Sequence, residues 1–207
     1  MKTLIIMTGP QGSGNHLFSK AFGINESLWG WKSLQTTYWE GHDEEPFSEC
    51  WNNPRLLTEF DWSQSKYFIT SISSPYYHNG VEKLPDYNLF QGYALGMNID
   101  IKYVLIGRDQ TILEMQQQSL RGRHTTPEFK AQLEFFSDKT VVYASQELLY
   151  LYGMKYLNNL ETQLGIPLST NKDRLDEILK RDANKKYITP ATSAVEKEVL
   201  FAMKRKN

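Results

Sequence analysis

Cysteine is nearly missing from this chain: Cys50 stands alone among 207 residues. One thiol excludes an internal disulfide and any cysteine-rich zinc site, and Cys50 reads as a packed, inert side chain. Net charge is missing too, since 23 basic side chains against 24 acidic ones leave −1. No general basic field exists to gather nucleic acid or a membrane surface, so neither partner is expected. Long apolar runs are absent as well. Nothing approaches the roughly 20 apolar residues of a membrane span. The apolar run behind Met1-Lys2-Thr3 is too short for a signal sequence, and a cytoplasmic protein is expected. Internal repeats, linkers and low-complexity tracts are also lacking.

What is present is an ordinary globular composition, 40% hydrophobic and 23% charged, in a chain long enough for one α/β domain with a generous core. Apolar runs at Leu4–Met7, Tyr67–Ile72, Tyr103–Ile106 and Val141–Tyr143 read as buried parallel strands. Between and after them, helical patterns cover Leu17–Phe22, Pro54–Phe60, Pro85–Met97, Thr111–Arg121, Pro127–Phe136, Gln146–Leu164 and Asp173–Lys180. Alternation of this kind predicts an α/β three-layer fold of the P-loop NTPase type, with a mainly parallel central sheet and helices on both faces. Residues 1–207 read as one domain with a peripheral C-terminal helix at about 192–205. All five tryptophans fall in an insertion at about 25–65 that also carries Glu40-Gly41-His42-Asp43-Glu44-Glu45. That insertion is either an aromatic subcore or a lid over a ligand, and its carboxylates lack any standard metal-ligand spacing.

The segment Thr3–Ala21 carries the most chemistry. A strand runs into a glycine-rich loop, Gly9 to Gly14, that fits G-x-x-x-x-G, and a helix follows. Such a loop aims backbone N–H groups into one concavity, and the helix N-terminus adds positive potential. The next two positions of the standard phosphate loop are Lys and Ser/Thr, serving the β/γ-phosphates and Mg²⁺. Here they are Asn15 and His16. The phosphate cradle is present without the groups a magnesium-dependent kinase uses. A second segment, Lys102–Arg123, ends a strand at Gly107 and opens a helix at Arg108-Asp109, placing an arginine fork at the same sheet edge. Gln116 and Ser119 follow on that helix as further donors. A third segment runs from Val141 through Gln146-Glu147-Leu148 to Leu164-Gly165-Ile166-Pro167.

Taken together, the three segments resemble the P-loop sulfotransferases. An early loop in that family usually reads P-[KR]-S-G-[ST]-T, and Gln11-Gly12-Ser13-Gly14-Asn15-His16 occupies its place. An Arg-Asp-Pro-like strand end corresponds to Gly107-Arg108-Asp109-Gln110, and a Tyr-Glu-Asp-Leu-like stretch to Ser145-Gln146-Glu147-Leu148. The resemblance implies 3′-phosphoadenylyl sulfate (PAPS) as donor, adenosine 3′,5′-bisphosphate as product, no required metal, and a hydroxyl acceptor that is a small molecule or a carbohydrate. It implies that Gly9, Gln11, Gly12, Ser13, Gly14, Asn15 and His16 hold the 5′-phosphosulfate end, with Arg108 and Gln116 or Ser119 on the 3′-phosphate. The chain departs from the family where a loop Lys or Arg is replaced by Gln11-Gly12. No histidine closes the second predicted strand, where Thr70–Ser74 is followed only later by His78, and the late basic loop is represented by Lys185 and Lys186 at most.

Sulfuryl transfer needs positioning, charge stabilisation and a base for the hydroxyl proton. His16 in the loop is expected to donate to the leaving phosphate, and His42 to act as base if the insertion covers the donor. His78 and His124 read as loop residues. Two other readings stay open: an ATP-dependent nucleotide or nucleoside kinase with a degenerate loop, and a non-catalytic nucleotide-binding relative. The acceptor and any oligomeric state are not encoded legibly.

Overall fold

The computed structural model describes residues 1–30, 46–168, 171–180, 182 and 184. Five parallel strands form the central sheet in the order β2-β3-β1-β6-β7. They are β1 (Lys2–Pro10), β2 (Leu28–Trp29), β3 (Tyr67–Ser74), β6 (Ile99–Gly107) and β7 (Val141–Ser145). A separate two-stranded antiparallel ribbon pairs β4 (Tyr76–His78) with β5 (Val81–Lys83). Strand β1 is central, so both of its faces are covered, and it is buried from Thr3 to Pro10. This is why it reads as a continuous apolar run rather than an alternating one.

Alternate residues of β1 feed two cores. Ile5 and Met7 pack with Leu17 and Phe18 of α1 (Asn15–Gly23) and with helices α6 (Gln146–Tyr152), α7 (Met154–Leu164) and α8 (Lys172–Leu179). Leu4 and Ile6 pack on the other face against α2 (Ser48–Asn52), α3 (Tyr87–Gly96) and α5 (Thr126–Ala131). The fold is therefore the expected three-layer α/β arrangement. Helix α4 (Gln110–Arg121) follows β6. No helix of the described residues is long and apolar enough to cross a membrane.

Several sequence boundaries shift for identifiable reasons. The single helix expected over Gln146–Leu164 is two, because Gly153 takes φ 50°, ψ −122° and separates α6 from α7. The helix expected to open at Pro85 opens at Tyr87, with the Asp86 carboxylate accepting from the Leu89 N–H at 2.9 Å. Pro127–Phe136 divides into α5 and a 3₁₀ turn over Leu133–Phe136, and the Pro54 segment is likewise 3₁₀, Pro54–Thr58. Strand β2 and the β4–β5 ribbon had no counterpart in the sequence reading. At two or three residues each, they are too short for periodicity to register.

Of the described tryptophans of the insertion, Trp51 is buried in the core and Trp29 and Trp62 pack against it half-buried. Trp51 stacks on Phe90 with centroids 3.8 Å apart, and its Nε1 donates to Thr70 Oγ1 at 3.0 Å. Trp29, Phe47, Phe60 and Trp62 cluster over Phe68 of β3. Trp31, Trp39, His42 and the 192–205 helix lie outside the described residues. Cys50 is buried beside this cluster, and burial, then the Glu49 carboxylate, push its thiol up from 9.0 to about 11.

Trp51→Ala is expected to cost about 3–5 kcal/mol of unfolding free energy, the range for deleting a large buried aromatic, measured by urea titration. For Cys50, the raised thiol contributes stability that is complete below pH 9.0 and is lost as pH rises through about 11. The stability difference between the parent and Cys50→Ala should therefore shrink across that window in denaturant titrations. A difference independent of pH would show that the thiol does not titrate abnormally.

Candidate functional site

In the sheet order, β1 leads to strands on one side and β6 to the strand on the other. The chain thus changes direction at the β1/β6 boundary, and ligands of open α/β sheets bind beyond the carboxyl ends of the strands at such a switch point. Loop 11–14 leaves β1 there, and Arg108 leaves β6 beside it. The end of β3 closes the third side, since Pro10 pairs with Ser74 in register.

The glycines of the loop do different work. A Cβ on Gly9 would lie 2.4 Å from the Ile106 carbonyl, so Gly9 lets β1 turn tightly against β6. Gly12 and Gly14 hold φ +89° and +105°, torsions that L-residues adopt at a cost. Gly14 is also the residue from which α1 starts. A Cβ there would approach Gln146 Oε1 to 2.9 Å.

Asn15 takes the position of the lysine of a standard phosphate loop, and its side chain is turned inward. Its Nδ2 donates to Ser73 Oγ at 3.0 Å, Ile72 O at 3.3 Å and Gly9 O at 3.4 Å, and its Oδ1 accepts from Ser13 Oγ at 3.1 Å. Both Ser13 and Asn15 are buried. Their side chains tie the loop to β1 and β3.

Arg108 has direct contact with the loop. Its Nη1 donates to the Gly12 carbonyl at 2.8 Å and to Gln116 Oε1, while Nε donates to Asn184 Oδ1 at 2.9 Å. The Asp109 carboxylate accepts from the Ile112 N–H at 3.0 Å and caps α4. Gln116, expected from the sequence as a further donor, meets Arg108 as an acceptor through Oε1, whereas Ser119 is exposed and shares a shallow groove with Met115 and His124. Gln117 is buried: its Nε2 donates to the Gln11 carbonyl at 2.8 Å and its Oε1 accepts from the Thr125 N–H at 2.8 Å. Sequence reasoning passed over Gln117 and Asn184, because a glutamine or asparagine without a motif carries no recognisable signal.

Beyond the loop opens a cleft of about 650 Å³ whose lining includes Gln11, His16, Glu49, Ser73, His78 and Arg121. His16 thus stands between loop and cleft. His78, read from sequence as a loop residue, ends β4 and shares the cleft with it. Tyr76 lines it too; burial raises its phenol above the ordinary range, so it enters as a neutral hydroxyl. Among the described residues no group of three His, Cys, Asp or Glu side chains is placed to hold a metal ion.

No protein-family model matches the sequence, and no curated protein does. Among solved structures the chain is similar to mouse sulfotransferase SULT7A1 complexed with PAP, at 12% identity and a TM-score of 0.45 over 87% of this chain and 63% of that one. It is also similar to retinol dehydratase in complex with androsterone and PAP, at 14% identity and a TM-score of 0.41 over 87% of this chain and 64% of that one.

Asn15→Ala is expected to cost about 1–3 kcal/mol, the range for leaving buried polar partners unsatisfied, in urea titrations. Gly14→Val should likewise lose stability, because it combines a left-handed torsion with the approach to Gln146. Full stability in both variants would mean that the loop is not held in the way described.

Proposed function

We propose that this chain is a sulfotransferase that uses PAPS and a hydroxyl acceptor. The observation that carries the reading is Arg108: the guanidinium at the end of β6 sits directly on the phosphate loop through Gly12 and Gln116, next to a loop without the kinase lysine and magnesium hydroxyl. The residues present fit such a ligand. A Cβ on Gly14 would intrude on the loop's close packing, so the backbone there is kept open for an anion to approach. The donor supplies the sulfuryl group when bound, and adenosine 3′,5′-bisphosphate is what remains.

The chain's own residues divide the rest of the work. The amides of residues 11–14 and the N-terminus of α1 hold the 5′-end oxygens, because a helix start concentrates positive potential on an anion. Arg108 and Gln116 bind the 3′-phosphate, exchanging internal acceptors for a charged one. His16 donates to the oxygen that gains charge as the sulfur–oxygen bond breaks. The proton of the attacking hydroxyl goes to His78 of the cleft; His42, the base expected from the sequence, lies outside the described residues. Ser73, held by Asn15, keeps the end of β3 in line with the loop. The kinase alternative asks for a cation and a magnesium ligand where Asn15 and His16 stand.

Thermal-shift measurements with adenosine 3′,5′-bisphosphate, ATP and ATP with Mg²⁺ test this. The bisphosphate should stabilise most, by about 2.7 kcal/mol at a hundred times its dissociation constant. Arg108→Ala should weaken it by about 1.5–3 kcal/mol, as for a charge-assisted bond. A shift with Mg-ATP alone would turn the assignment to a kinase.

A further inference from the structure

The cleft has a chemical character of its own. Of its twelve described lining residues only Ile72 lacks a polar group on its side chain. A steroid-like or retinoid-like alcohol would strip water from those groups without replacing their hydrogen bonds, which is costly. Instead, the lining offers hydroxyls, two amides, imidazoles and charges, the equipment that fixes a polar ligand of defined orientation.

Two features show what that ligand carries. Arg121, the last residue of α4, places its guanidinium 4.8 Å from the ring centre of Tyr77. It has no carboxylate partner among the described residues, whereas nearby Arg123 is committed to both Glu82 and Glu128. An exposed guanidinium over an aromatic face still has N–H donors to offer a carboxylate or sulfate. At the loop end of the same cleft, Gln11 is only 3% exposed and its Oε1 has no hydrogen-bond partner among the described residues. An acceptor atom in that position asks for a hydroxyl donor. Glu49, on α2, is the carboxylate of the described lining; it repels an anion from its own wall and accepts from hydroxyls.

We infer that the acceptor is a hydrophilic polyhydroxyl compound bearing an anionic group, such as an acidic sugar, with its anion on Arg121 and a hydroxyl donating to Gln11. The inference rests on the sulfotransferase reading for calling this ligand an acceptor, though the cleft chemistry stands without it. A volume of about 650 Å³ lies well within the range that holds a ligand of two sugar rings.

The test is calorimetric titration of the full chain with a glucuronate-containing disaccharide, its neutral glucose counterpart and androsterone, each with and without adenosine 3′,5′-bisphosphate. The acidic disaccharide should bind at least tenfold more tightly than the neutral one. Arg121→Gln should erase that preference, Arg121→Lys should keep part of it, and melting temperature checks that both variants fold. Equal binding of the two disaccharides, an unchanged preference in Arg121→Gln, or tighter binding of androsterone would overturn the inference. Failure of the bisphosphate itself to bind would remove the sulfotransferase reading instead, while the titrations without it still decide the cleft.

Discussion

The bond from Arg108 to the Gly12 carbonyl joins the ends of β1 and β6 across the point where the sheet reverses direction. Much of the candidate site hangs on that join. Gln116 is drawn in from α4 and Asn184 from beyond α8, so three distant segments converge on one guanidinium. A guanidinium can do this because it presents five donors in a fixed plane. Lysine, a single point of charge, could not serve several acceptors with the same geometry.

Beneath this join the loop is stabilised from within. Asn15 distributes its amide over β1 and β3, Ser13 completes the set, and Gln117 holds the Gln11 carbonyl. The result is a loop whose shape is set before any ligand arrives. Preorganisation of this sort lowers the ordering cost of binding an anion. The loop needs no lysine to hold its form: the shape comes from its glycines and buried amides, not from a cation.

The sequence made the four longer strands legible, because buried parallel strands are simple apolar runs, and it made the loop legible because glycine spacing is a local signal. Arg108 at a strand end and Gln116 on α4 stood out in the sequence, and the structure brings the two together. The rest was not, for physical reasons. Gly153 looks like any residue of a periodic stretch until its torsions are known. The inward turn of Asn15 depends on Ile72 and Ser73, nearly 60 positions away. His78 read as a loop residue, since a three-residue ribbon strand has no period. Ser119, one turn beyond Gln116, was grouped with it, yet the helix rotates it outward to solvent.

The β4–β5 ribbon stands outside the main sheet and shares no ladder with it. It contributes Tyr76, Tyr77 and His78 to the cleft, and it is fastened to the α4–α5 side by Arg121 against Tyr77 and by Glu82 on Arg123. Changes in the exposed side chains of this ribbon would leave both hydrophobic cores and the loop untouched. Such a wall is free to diversify by mutation while the β1–β6 edge stays constant. A lineage built on this fold can therefore reshape its cleft without passing through an unfolded ancestor.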